Sequence, residues 1–115
     1  MRHFPTINGM SKPHNEEEYR DKVADDCKIN LVLGKNLHKA RMKSKTPGGE
    51  AITFEWLSYV TTLHPTSIRY FEKGEMGMTV ANLVRLKDAL KCSWDDLLNG
   101  CASDVVKARR PRLRR

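Results

Sequence analysis

The sequence predicts an all-α protein of a single domain: a bundle of five helices, room for an extra helix ahead of them, and a basic carboxy-terminal tail. Three observations carry this. Apolar residues recur at three- and four-residue spacing along most of the chain, with no sustained alternation of the kind a strand needs. Capping residues stand ahead of these stretches, and Gly or Asn follows several of them. With 115 residues, 39% of them hydrophobic, the chain has material for one small core plus tails.

Residues 1–15, with Pro5, Gly9, Pro13 and Asn15, have no apolar period and read as a flexible arm. An acidic helix is expected over 16–31: Glu16, Glu17 and Glu18 suit a first helical turn, and Tyr19, Val23 and Cys27 recur every four residues. A second series, Leu33, Leu37 and Ala40, continues to about Lys45, where TPGGE breaks it. One helix over 16–45 and two helices joined near Ile29-Asn30 fit the pattern equally. Thr53 caps a helix over 54–62 with Phe54, Leu57, Val60 and Thr61 in register and Trp56 to one side. His64-Pro65 restarts a helix whose inward stripe is Ile68 and Phe71 and which Gly74 closes. Thr79 caps the next, with Val80, Leu83, Leu86, Ala89 and Leu90 inward, and Ser93 caps the last, with Trp94, Leu97 and Leu98 before Asn99-Gly100. Residues 32–100 thus form the domain and 101–115 the basic tail.

The formal net charge is +7, and it is blocked rather than spread. Residues 14–27 hold six acids and two bases, 28–46 hold six bases and no acid, and 105–115 hold six bases. The stretch 47–104 is net acidic, with eight acids and five bases. Such basic blocks favour a polyanionic partner. Three cysteines without CxxC spacing, and no pairing of them with the four histidines, support neither a disulfide framework nor a zinc site. No apolar run of signal-peptide or membrane-span length occurs, so no membrane role and a reducing, cytoplasmic setting are expected. No Ser-His-Asp, metal-ligand or glycine-rich phosphate pattern appears, so neither enzymatic activity nor a cofactor is expected.

Two short helices joined by a tight turn, braced by helices on either side, describe a helix-turn-helix. The run ITFEWLSYVTTLHPTSIRYFEKG, residues 52–74, continued by EMGMTVANLVRLKDALKCSWDDLLNG, resembles the Cro/C1-type (XRE) helix-turn-helix regulators, over roughly residues 32–100. The hallmarks are Leu57 and Ile68 between the two helices, small Ser58 at their crossing, Glu72-Lys73-Gly74 closing the second helix, and Leu97-Leu98-Asn99-Gly100 ending the domain. The resemblance implies a lambda-repressor-like DNA-binding domain acting as a homodimer on double-stranded DNA, with helix 65–73 in the major groove of a palindromic or pseudo-palindromic operator. It implies base contacts from Pro65, Thr66, Arg69 and Tyr70, with Arg69 suited to guanine O6 and N7. Backbone contacts are expected from Thr53, His64, Ser67 and Lys73, and from the basic blocks through Lys43, Lys45, Arg109, Arg110 and Arg112, although the tail also reads as a solvated end or as a nuclear localisation signal. It also implies a structural ion pair between Arg41 and Glu72.

The chain departs from the family pattern at several points. Phe54 replaces a polar residue that commonly reaches a phosphate, and Thr62 occupies a place where glycine usually supplies a left-handed turn. The loop through TPGGEA is about six residues longer than is usual, and Glu75 to Met78 contain no basic residue. A second reading uses the same fold as a scaffold: a protein-interaction adaptor, or the antitoxin of a toxin–antitoxin pair that holds its partner through the amino-terminal segment; the absence of a basic residue after Gly74 favours it. The acidic block around Glu16 to Asp26 reads as a solvated helix start, or as a surface that folds against the basic tail and competes with DNA.

Overall fold

A computed structural model describes residues 16–111. The expected arm, 1–15, and Arg112 lie outside these residues. The described chain is all-α, with no strand among the described residues beyond an isolated bridge between Lys45 and Ala51. Its helices are α1 (Glu16–Lys43), α2 (Phe54–Thr61), α3 (Pro65–Lys73), α4 (Val80–Leu90), α5 (Trp94–Leu98) and α6 (Asp104–Arg109).

The stretch from residue 16 to the TPGGE loop forms one continuous helix of 28 residues, with no joint at Ile29-Asn30. Three acids occupy its first turn, and Arg41 and Lys43 its last, each sign facing the favourable end of the helix dipole. Burial starts only at Leu33. Tyr19 and Val23 are 55% and 42% exposed and Cys27 is exposed, so the expected amino-terminal stripe does not reach the core. The reason is geometric: a helix this long outruns a domain this small, and its first half projects beyond the other core helices.

Below that half, Leu33, Leu37 and Ala40 of α1 meet Ile52, Leu57, Ile68, Phe71, Leu86, Leu90 and Leu97 in one core. Helix α1 packs on α3, α5 and α6, while α2 packs on α3 and α4. Asn36 donates from Nδ2 to the carbonyls of Leu97 (2.7 Å) and Asn99 (2.8 Å), and Ser44 donates to the Leu90 carbonyl (3.0 Å). Carbonyls that α4 and α5 leave open at their ends are thereby satisfied from α1. The loop after α1 closes on itself through Thr46 N–H to Glu50 O and Gly49 N–H to Thr46 O, both 2.8 Å. The extra residues are thus absorbed locally.

Thr53, His64, Thr79 and Ser93 each accept a backbone N–H at a helix start, and Ser93 with Asp96 completes a capping box. Three residues, Thr62 to His64, join α2 to α3. The buried Thr61 hydroxyl donates to Leu57 O (2.7 Å) and accepts from Leu63 N–H (3.2 Å), so the turn carries its own internal brace. Helix α2 ends one residue short of the expected 62: Thr62 sits at φ 64°, the left-handed region, as the C-cap. A non-glycine residue bears a cost of about 1–2 kcal/mol there.

Two expectations about the stripes are corrected. Val80 is 77% exposed, because at 100° per residue it lies about 120° around α4 from the fully buried Leu86. Leu98, next to the fully buried Leu97, is likewise rotated outward and is 42% exposed, while Trp94 is 40% exposed with Lys87 Nζ 5.3 Å from its ring centroid.

Among the described glycines the tightest surroundings are at Gly34, within α1. A Cβ there would stand 2.4 Å from the Phe71 carbonyl oxygen and 2.6 Å from that of Glu72. Helix α1 therefore crosses the last turn of α3 backbone to backbone. We expect Gly34→Ala to lower stability by about 1–3 kcal/mol through forced separation of the two helices, despite the better helix propensity of alanine. Urea unfolding checks this, and an unchanged or raised midpoint would show that the crossing has room.

Candidate nucleic-acid interface

The outer face of α3 follows from its inner one. With Ile68 fully buried and Phe71 3% exposed, the helical repeat turns Thr66, Arg69, Tyr70 and Lys73 into solvent. Pro65 occupies the first turn, and Ser67 is half-buried. His64 precedes them as the N-cap, its Nδ1 accepting from Thr66 N–H at 3.1 Å. A ring that accepts at Nδ1 carries its neutral-state proton on Nε2, leaving that edge as a donor. Thr53 has the same function at α2, its hydroxyl accepting from Trp56 N–H at 3.0 Å and keeping its own proton to donate.

Behind this face stands an ion pair. Arg41 Nε lies 2.6 Å from Glu72 Oε2 and Nη2 3.1 Å from Oε1, a bidentate contact between side chains only 11% and 7% exposed. Arg41 also donates from Nη1 to the Ile52 carbonyl at 3.0 Å, and His38 donates from Nδ1 to Glu72 Oε1 at 2.9 Å. Both carboxylate oxygens and both ends of the guanidinium are therefore occupied. The arrangement ties the last turns of α1 to the end of α3 and to the chain entering α2.

Phe54, the first residue of α2, adds a contact that the sequence reading missed. Its ring takes the Arg41 guanidinium carbon 4.1 Å from its centroid and that of Arg69 at 4.9 Å. The sequence marks Phe54 as part of the apolar register of α2 and as a departure from a polar residue; its closeness to Arg41 and Arg69, 13 and 15 positions away, is set by the tertiary structure. Lys45 lines a groove with Arg41, Thr53 and Phe54 on this side of the molecule. Lys43 lines a different groove, with His38, Cys92, Asp95 and Asp96. The two lysines thus belong to separate surfaces.

The basic tail is not simply an extended end. Ser103 caps α6, and the helix lies on the amino-terminal half of α1. Asp25 holds it there: its carboxylate accepts from the Ser103 hydroxyl (2.5 Å), Asp104 N–H (2.8 Å) and Val105 N–H (3.4 Å). Lys28 pairs with Asp104 at 2.6 Å and Arg109 with Glu18 at 3.3 Å. The acidic block and the start of the tail therefore meet, on the order of 20 Å along α1 from His38. Arg109 faces α1 rather than α3, and Arg110 is the exposed C-cap of α6. In the sequence the Ser103-Asp104 capping signal of α6 is masked by the arginine composition that follows it.

Among the described residues no group of His, Cys, Asp and Glu is placed to hold a metal ion, and no helix is long and apolar enough to cross a membrane. Burial pushes the Cys92 and Cys101 thiols up from their ordinary range. No protein-family model matches the chain, and no curated protein sequence matches it either.

Two outcomes follow. Arg41→Ala should cost about 3–5 kcal/mol, because Glu72 is left buried without its partner, and the loss in the Arg41→Ala/Glu72→Ala double variant should be smaller than the sum of the singles. Chemical denaturation of the four proteins tests this; additive losses would mean that the two side chains are not coupled. The second outcome concerns pH. The Ser103 hydroxyl, aided by two backbone N–H groups and Lys28, holds the Asp25 carboxyl below its ordinary value of 3.8. A depressed carboxyl stabilises the contact above its unfolded pKa, and that contribution is lost as pH falls through the lowered one. Amide resonances of Val105 and Val106 should move toward coil values below about pH 4 while those of α3 stay in place, and Asp25→Ala should produce the same change at pH 7. Persistence of α6 docking with every carboxyl protonated would refute this account.

Proposed function

We propose that the chain is a sequence-specific DNA-binding regulator with a lambda-repressor-like helix-turn-helix domain, acting as a homodimer on a palindromic or pseudo-palindromic operator. Its α3 lies in the major groove. The observation that carries the reading is the geometry of α2 and α3: two short helices joined by three residues, clamped by Leu57 and Ile68, with Thr66, Arg69, Tyr70 and Lys73 exposed along one face. The buried Arg41–Glu72 pair supports it, since it fixes the attitude of α3 against α1 from behind and leaves the outer face free for contact.

The roles divide by chemistry. Arg69 reads guanine through a two-donor contact in the major groove, a discrimination of about 1–3 kcal/mol. Pro65, Thr66 and Tyr70 meet neighbouring bases. Thr53, His64, Ser67, Lys73 and Lys45 touch phosphates and set register without specifying sequence. Arg110, together with Lys43 and the residues after it, adds sequence-independent attraction that weakens with salt. Two copies on a two-fold site place their α3 helices about 34 Å apart, one helical turn of DNA.

A second reading, an adaptor or antitoxin that grips a protein partner, rests on Glu75 to Met78: this loop after α3, exposed at Glu75, Met76 and Gly77, offers DNA no positive charge. The deciding measurement is affinity for the DNA upstream of the protein's own coding sequence against a scrambled duplex, across a salt series. Wild type should prefer its own DNA at every salt concentration. Arg69→Ala should lose about 5- to 150-fold of that preference with its fold intact. Equal affinity of the wild-type protein for both duplexes would reject sequence-specific regulation and leave the adaptor reading.

A further inference from the structure

Arg69 is exposed, yet it is not loose. Its guanidinium carbon stands 4.9 Å from the centroid of the Phe54 ring, and among the described residues no acceptor takes a hydrogen bond from it. A stacked guanidinium uses its face for the ring and keeps its in-plane N–H donors available. The contact holds Arg69 against the ring while its N–H donors make no hydrogen bond among the described residues.

The ring is itself held. Phe54 is half-buried against the core, and Arg41 lies over it at 4.1 Å. Arg41 in turn is fixed by Glu72 and by the Ile52 carbonyl. The positive charge of Arg41 is balanced by the Glu72 carboxylate, whereas Arg69 has no such balance among the described residues. A chain of contacts thus runs from the buried ion pair, through one aromatic ring, to the most informative side chain on the α3 face.

We infer that Phe54 is the positioning residue for Arg69: its ring sets the guanidinium before DNA arrives and thereby sets the strength of guanine discrimination, without contacting DNA itself. This rests on the reading of α3 as the base-reading helix. A long arginine side chain loses rotamer freedom on binding, and a side chain already stacked has less left to lose. The polar residue that the sequence lacks at this position is replaced by a platform with a different task.

The experiment uses the full chain and a duplex selected from a random library by the wild-type protein. The readout is the ratio of affinities for that duplex and for the same duplex with its guanine at the Arg69 position exchanged for adenine. Phe54→Leu should reduce this ratio about tenfold, Phe54→Tyr should retain it, and affinity for a scrambled duplex should stay unchanged in both. In an Arg69→Ala background Phe54→Leu should change the ratio no further, because there is no guanidinium left to position; a merely structural role would add its effect there. In the free protein, the Arg69 Hδ resonances should be shifted upfield by the ring in wild type and in Phe54→Tyr, and should return to ordinary values in Phe54→Leu.

If wild type selects a guanine-containing duplex and folded Phe54→Leu keeps the same ratio, the positioning role is overturned while the DNA reading stands. If wild type selects no duplex, both fall. An Arg69 resonance with no ring-current shift in wild type overturns the stacking directly, whatever DNA does. Should Phe54→Leu fail to fold, Phe54→Met serves the same purpose: it keeps an apolar side chain of similar volume, removes the ring, and should reduce the ratio about tenfold, whereas an unchanged ratio would overturn the positioning role.

Discussion

The backbone contact between Gly34 of α1 and the last turn of α3, locked by the Arg41–Glu72 pair a little further along, is the constraint on which the rest of the molecule depends. Without a side chain at Gly34 the two helices touch at the carbonyls of Phe71 and Glu72. That approach brings Glu72 within reach of an arginine two turns along α1 and places both charges where water is scarce. Neither feature is useful alone. A close crossing without the pair would strand Glu72, and the pair without the crossing would be an exposed contact of little value. Gly74 continues the same logic: its left-handed φ of 75° turns the chain away where a Cβ would stand 2.8 Å from Leu31 Cα.

From that anchor the architecture spreads in two directions. Toward α2, Arg41 reaches the Ile52 carbonyl and the Phe54 ring, so the start of α2 is registered against the same side chain that registers the end of α3. The turn between the two helices therefore has both its outer ends fixed, and Thr61 braces it from inside. This rigidity accounts for the tolerance of Thr62 in a backbone region that disfavours it: the surrounding contacts over-determine the turn and outweigh the local cost. Toward the amino terminus the support thins. Beyond Leu31 the helix has α6 for company, held by an acid at its cap and by two exposed ion pairs rather than by burial. Contacts of that kind respond to pH and salt in a way that the core does not.

Charge is distributed by function of place. The acids of α1 meet the opening of the tail and partly neutralise it, while the bases of the last turns of α1 divide between two grooves. On α3 itself Arg69 and Lys73 are the basic residues, and the acid beside them, Glu72, is turned inward to Arg41. The outward charges of α3 are therefore cationic although the middle stretch of the chain is net acidic, while Glu55, in the groove with Lys45, and Glu75, in the loop after α3, are exposed acids at its border.

The boundaries of α2 to α5 were legible in the sequence because a helix start is a local event: Thr53, His64, Thr79 and Ser93 satisfy N–H groups two or three residues away, and Leu57, Ile68, Leu86 and Leu97 fall on periods that a few turns suffice to define. The candidate site was legible in part. Exposure of Thr66, Arg69, Tyr70 and Lys73 follows from the burial of Ile68 and Phe71, but Arg41 and Glu72 stand 31 positions apart and were singled out by resemblance rather than by spacing. What the tertiary structure alone decided lies at longer range still. It exposed Tyr19 and Val23 by carrying α1 past the core, docked the helix Asp104–Arg109 by lending it the Asp25 carboxylate, and brought Arg69 over Phe54. The physical reason is common to all three: periodicity and capping express forces that act within a turn or two, whereas stacking, ion pairing and the extent of a core depend on which distant segments the packing of α1 against α3 brings together.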